Sequence, residues 1–380
     1  MRVLLAVLLV GVVGCGSETE PPSPFSESEA KPPTAAVPPT PPESTQAKAE
    51  NVVADTPQPK VDADPVTKPK PKPEPGSEPK ADKPPAQVAV ADAIAALKKF
   101  GAKIRQNEQG EVVLVVLQDT KITDAGLVHL KGLTKLQTLA MNGQITDAGL
   151  VHLKGLVSLK TLGLTMTKVT DAGLVHLKGL TGLQSLGLDS TEITDAGLVY
   201  LKGLQLTSLG IPDDAKTDLG LKHYLAALET HTALNLFGWR ITDAGLVHLK
   251  GLTKLQNLGL IGTQITDAGL VHLKGLTKLQ NLGLIGTQIT DAGLVHLKGM
   301  TNLKTLNLGG TKVADAGLVH LKGLVKLETL SLVQTQVSDA GLVHLKELTG
   351  LQTLFLSGTK ITDAGVAELQ KALPDCKISK

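Results

Sequence analysis

A block of 24 residues recurs along most of this chain, and no other feature limits its possible folds as strongly. One copy, Ile265–Gln288, repeats the preceding copy, Ile241–Gln264, letter for letter. Related units begin at Ile122, Ile145, Val169, Ile193, Ile289, Val313, Val337 and Ile361, and a degenerate unit near Lys216 fills the remaining gap, so there are about eleven, the last truncated.

Within a unit, Leu270, Leu273 and Leu276 fall every three residues, on one face of a helix, while Leu282 and Leu284 alternate as the inward positions of a strand do. The spacing predicts one helix and one strand per unit. Thr266 and Asp267 stand where a helix N-cap is wanted, so the aspartate column is read as capping. A single unit offers roughly eight inward apolar side chains, each worth about 1.5–3 kcal/mol when buried. Against that stands about 1–2 kcal/mol of backbone entropy for every residue ordered. One unit cannot fold alone; stacked units can, with parallel strands on one side and helices on the other, giving an α/β curved solenoid over residues 122–380. Residues 88–121 are expected to cap its N-terminal end, with a helix at Val90 to Phe100 and a first strand at Glu111 to Leu117. Leu373 to Ile378 is expected to close the other end, with Cys376 as a packed thiol.

The pattern Leu279-x-x-Leu282-x-Leu284-x-x-Thr287 resembles the leucine-rich repeat, with Thr where that family usually carries Asn or Cys. The resemblance runs from Ile122 to the C-terminus. The Ile-Thr-Asp-Ala-Gly-Leu block is similar to the subfamily found in bacterial repeat proteins and in the repeat domains of eukaryotic F-box proteins. It implies ligand binding on the strand face. No F-box-like segment precedes the repeats, so an adaptor role in ubiquitin ligation would rest on the repeat resemblance alone.

The other end of the chain differs in kind. Met1-Arg2 supplies a positive start and Val3 to Val13 an apolar run of about eleven residues, where a membrane-spanning helix needs about 20. Residues 1–15 therefore read as a signal peptide. Its end, Val12-Val13-Gly14-Cys15, resembles the lipobox of bacterial lipoproteins, in which the cysteine thiol takes a diacylglycerol and becomes the mature N-terminus. An ordinary secretory signal with Cys15 incidental is the alternative, but no Ala-x-Ala site is present. Gly16 follows the cysteine where an Asp would retain a Gram-negative lipoprotein at the inner membrane, so the resemblance favours the outer membrane of a bacterial cell envelope. Residues 16–87 hold 19 prolines, no Leu or Ile, and Phe25 as their one aromatic; they cannot bury enough apolar surface to order themselves and are expected to be a disordered tether.

The chemistry-bearing residues argue against catalysis. The net charge of +2 does not point to nucleic acid, and two cysteines at opposite ends exclude a disulfide framework. The recurring histidines, such as His248, His272 and His296, leave neighbouring helices side by side instead of converging as zinc ligands must, so they are read with the lysine column as a solvated convex face. One carboxylate per unit makes no calcium loop, and no phosphate-binding loop or nucleophile motif occurs. No cofactor, no metal and no enzyme activity are expected.

Binding is the remaining class. The outward strand positions, Asn257, Gly259 and Ile261 in one unit and Thr305, Asn307 and Gly309 in another, are small and neutral, unlike the aromatic or Arg anchors of strong interfaces. The stretch from Tyr200 to Arg240 is the exception: Tyr200, Tyr224, Phe237 and Trp239 are four of the seven aromatics in the chain. These are the candidate partner-binding residues, with Phe355 as a weaker one. Trp239 also stands in the Thr287 position, where it would serve packing. The expected function is a membrane-anchored interaction module for a protein partner, or for an envelope glycan; a passive spacer is the alternative.

Overall fold

The computed structural model describes residues 85–380, with side chains from Ala89 onward. The expected signal peptide, Cys15 and the expected tether as far as residue 84 lie outside the described residues. No helix among the described residues is long and apolar enough to cross a membrane.

Helix α1, Pro85–Lys99, opens the described region. It starts three residues earlier than the expected cap, and Pro85 at its first position suits a site whose backbone N–H would have no partner anyway. Strands β1, Lys103–Gln106, and β2, Val112–Val116, follow as an antiparallel hairpin. Only β2 was expected. Asn107 makes the turn: its Oδ1 accepts from the N–H of Gln109 at 3.1 Å and of Glu111 at 2.8 Å, and Gly110 takes the left-handed φ of 77° that the reversal needs.

From β2 onward the strands of the two main sheets are parallel and in register, one to a unit and, after β2, three residues long; Gly143–Thr146 and Thr167–Lys168 pair beside them as a separate two-stranded sheet. Leu258 pairs with Leu282, and Leu282 with Leu306. A six-stranded sheet runs from β1 to Ser208–Gly210, and a seven-stranded sheet from Ala233–Asn235 to the closing strand Lys377–Ser379. The interruption falls at the degenerate unit. There Tyr224 adds one residue, and Asp218–Ala227 forms a ten-residue α-helix, as Asp363–Ala372 does in the last unit, in place of the tighter turn found in the rest.

Those other helices are mostly 3₁₀ in character. Asp171–Leu177 and Asp315–Leu321 are 3₁₀ throughout, while Asp267–Leu270 is one α-turn continued by the 3₁₀ turn Val271–Leu273. The physical reason is in the leucine spacing, because a repeat of three matches the 3.0 residues per turn of a 3₁₀-helix and slips on an α-helix. Leu270, Leu273, Leu276, Leu279, Leu282 and Leu284 are all buried, and their equivalents form one continuous core along the stack.

The aspartates do not cap their own helices. Thr266 is the N-cap, its hydroxyl accepting from the Ala268 N–H at 3.3 Å. Asp267 lies one residue inside the helix, and its carboxylate crosses to the next unit, where Thr290 donates its N–H at 2.8 Å and its hydroxyl at 2.5 Å. The column expected to cap thus ties each unit to its successor through charge-assisted bonds. At the C-terminal end Cys376 is buried, and burial pushes its thiol pKa up, as a packed thiol requires.

Candidate protein-binding face

The strand side presents three outward columns, and the shared register shows what each unit contributes. Asn257 and Asn281 belong to the first, Gly259 and Gly283 to the second. The third is set where the chain leaves the strand: Phe237, Ile261 and Ile285 each precede a glycine, Gly238, Gly262 or Gly286, whose φ of 78°, 69° or 67° turns the chain away. Successive units bond across these turns, Leu236 N–H to Gly259 C=O at 2.8 Å and Gly262 N–H to Ile285 C=O at 2.8 Å. The three side chains therefore form a row.

The glycine column makes room for that row. Ile261 lies over Gly283, its Cγ1 within 3.5 Å of where a Cβ would stand. Phe237 heads the row at 67% exposure, with its N–H held by Asn235 Oδ1 at 3.1 Å. Ile261 and Ile285 are half-buried. Apolar carbon that runs on from Phe237 through Ile261 to Ile285, over a floor of small residues, is an anchor for a partner side chain that a single exposed Phe would not be.

Beside the row lies a charged rim. The Arg240 N–H donates to the Lys216 carbonyl at 2.8 Å, which sets the segment Asp213–Lys216 against Phe237–Arg240. Lys216 pairs with Asp213 at 2.7 Å, and that hydrogen bond holds the exposed Asp213 carboxyl below its usual range; Arg240 approaches Asp214 at 3.9 Å.

The structure divides the expected aromatic cluster. Trp239 is only 7% exposed and meets the half-buried Tyr224 edge to face, ring centroids 5.3 Å apart at 78°. Burial raises the pKa of Tyr224. In regular units the Trp239 position holds a buried threonine whose hydroxyl donates to its own unit, as Thr287 does to Leu284 C=O at 2.7 Å. Trp239 and Tyr224 together fill the space of the degenerate unit, so they are packing residues. Tyr200 is exposed, but it sits in the 3₁₀ segment Gly197–Leu201 at the histidine position, in the helical layer. Phe355 is half-buried in Thr353–Phe355, five strands from Asn235, or about 24 Å at the usual strand spacing. Of the expected residues, Phe237 alone joins the row. By its letters Ile261 belongs to a small, neutral floor and Ile285 carries no signal of its own; both fall in the Phe237 column because each stands one residue after the second inward strand leucine, Leu260 or Leu284, as Phe237 follows Leu236.

The histidine column is also less solvated than the sequence suggested. The ring Nδ1 atoms of His152, His296, His320 and His344 are buried with no hydrogen-bond partner. Burial and the lysine of the preceding unit both lower the pKa of His296 and of His320. Among the described residues no three His, Cys, Asp or Glu side chains gather as a metal would need.

One family model agrees with the geometry of the repeat. A family model described as a leucine-rich repeat matches residues 299–321, the span of about one unit. No curated protein sequence matches the chain. Among solved structures, an internalin from Listeria monocytogenes is 24% identical, with 76% of this chain and 93% of that chain covered and a TM-score of 0.48. Internalin C2 from the same organism is 25% identical, with 80% and 100% covered and a TM-score of 0.29.

Proposed function

We propose that this leucine-rich-repeat solenoid is an interaction module for a protein of the bacterial cell envelope, held at the membrane through a lipid on Cys15. The observation that carries the binding role is the row of Phe237, Ile261 and Ile285, headed by a phenylalanine at 67% exposure on the strand side. Small flanking residues leave the row open to an incoming side chain, and Asp213, Asp214 and Arg240 supply a polar rim of both signs. A protein surface fits this arrangement better than an envelope glycan, because sugar recognition favours paired exposed aromatics and Phe237 stands alone.

The test is a pulldown from detergent-solubilised envelope with the full chain, comparing the wild type with Phe237→Ser. Trp239 is left intact, since its loss would disturb packing. A specific protein captured by the wild type and lost by the variant supports the reading; equal capture by both, or none by either, favours a passive spacer. The anchor is tested separately by metabolic labelling with an alkyne fatty acid, which the wild type should incorporate and Cys15→Ala should not.

A further inference from the structure

The charges of the solenoid are sorted onto opposite edges. Where each strand leads into a helix stands the aspartate column that holds the next unit's threonine. Where each helix leads into the next strand, as in Leu273–Gln280, the second position is lysine in nine of ten units, from Lys131 to Lys346. Six more lysines occupy the sixth or eighth positions of the same segments, among them Lys254, Lys278 and Lys326. This edge thus carries fifteen lysines against three glutamates, an excess that the net charge of +2 conceals. Of these fifteen lysines only Lys304, Lys322 and Lys346 pair with a carboxylate, and all but Lys322 and Lys346 are exposed. The row breaks once, at the degenerate unit, where Glu229 stands and lysine is missing.

We infer that this edge docks on the surface of an anionic lipid bilayer. Charge complementarity calls for an anionic partner, and three features select a bilayer. The lysines spread along ten units, too far for a compact ligand, and they are point charges without the bidentate geometry that arginine brings to one defined phosphate. The edge segments contain no Phe, Tyr or Trp, so they offer no platform on which a sugar or a nucleobase would stack. Val157 and Val325, at 61% and 60% exposure, stand between the second and sixth positions of their segments, where six of the other eight units have Thr. Exposed valine beside lysine suits an interface of headgroups and acyl chains. The inference stands apart from the Phe237 row and from acylation of Cys15.

The experiment is vesicle co-sedimentation of the full chain carrying Cys15→Ala, so that any acyl anchor is absent, on phosphatidylcholine vesicles with and without phosphatidylglycerol. Binding should require phosphatidylglycerol and weaken as salt rises. Lys254→Glu, Lys278→Glu and Lys326→Glu together should weaken it roughly a hundredfold, at about fivefold per lysine. The matched control, Lys121→Glu, Lys168→Glu and Lys312→Glu, makes the same change of net charge on the aspartate edge and should retain most of the binding. Circular dichroism establishes that both variants are folded. Equal loss in the two variants, binding indifferent to lipid charge, or retention on a soluble polyuronate without vesicle binding would each overturn the assignment.

Discussion

The carboxylate of Asp267 occupies the space that a side chain on Gly293 would need. A Cβ added to Gly293 would fall inside contact distance of Asp267 Oδ1, the same oxygen that accepts from Thr290 at 2.8 Å. The relationship recurs along the stack, as between Asp243 and Gly269, and it explains why Asp and Gly travel together in the Thr-Asp-Ala-Gly block. The glycine is there for the neighbouring unit's carboxylate and not for its own backbone.

This pairing makes a double-mutant prediction. Asp267→Ala should destabilise the solenoid by about 1.5–3 kcal/mol through loss of hydrogen bonds to a charged acceptor. Gly293→Ala should cost about 1–3 kcal/mol through overpacking. The double variant should be more stable than the sum of these losses predicts, because removing the carboxylate opens the space the new methyl takes. Urea unfolding of the four proteins checks this, and strict additivity would refute the steric account.

Phe237 and Trp239 stand two residues apart and should respond oppositely. Trp239→Ala removes a buried ring from its contact with Tyr224 and should cost about 3–5 kcal/mol. Phe237→Ser changes an exposed side chain and should stay within about 0.5 kcal/mol of the wild type. Thermal melts of the two variants distinguish packing from surface; a severely destabilised Phe237→Ser would count against a binding role for the row.

Acidification should weaken the fold through its histidines. Burial, with lysine neighbours second, lowers the pKa of His223, His248, His296 and His320 below the ordinary 6.5; Asp195 opposes this at His223, and the aspartate of the preceding unit opposes it at the others. A histidine whose folded pKa is depressed binds its proton more readily in the unfolded chain. The stability it contributes is therefore present above about pH 6.5 and lost as pH falls through the folded value. The melting temperature should drop between pH 7.5 and pH 5, and His296→Gln with His320→Gln should reduce that drop. A melting temperature unchanged by the two substitutions at both pH values would exclude these rings as the cause.

The stack itself was legible in the letters. Leu282 and Leu284 announced an inward strand, and the regular return of Leu270, Leu273 and Leu276 announced a helical face, because each is a local periodicity. That same spacing of three carried a further message that only the backbone made plain, namely 3₁₀ turns in place of α-turns. The strand Lys103–Gln106 is not legible in its letters, being four residues long with Ile104 its one apolar member; pairing with Val112–Val116 makes it a strand. The aromatic cluster looked like one feature because its members are close in sequence, yet Tyr200 lies in the helical layer and Trp239 in the core.

The sequence by itself determined the repeat, its hydrophobic columns and the direction in which units stack, since a pattern carried every 24 residues imposes the same local structure and the same unburied face each time. Tertiary structure alone decided what each polar or aromatic side chain meets. Asp267 finds Thr290 and Gly293, and Ile261 finds Gly283, because stacking sets residues some 22 to 26 positions apart against one another, while Trp239 finds Tyr224 across the fold of its own irregular unit. Burial and charge at the stacked places are properties of the neighbouring unit, which no single unit's letters contain.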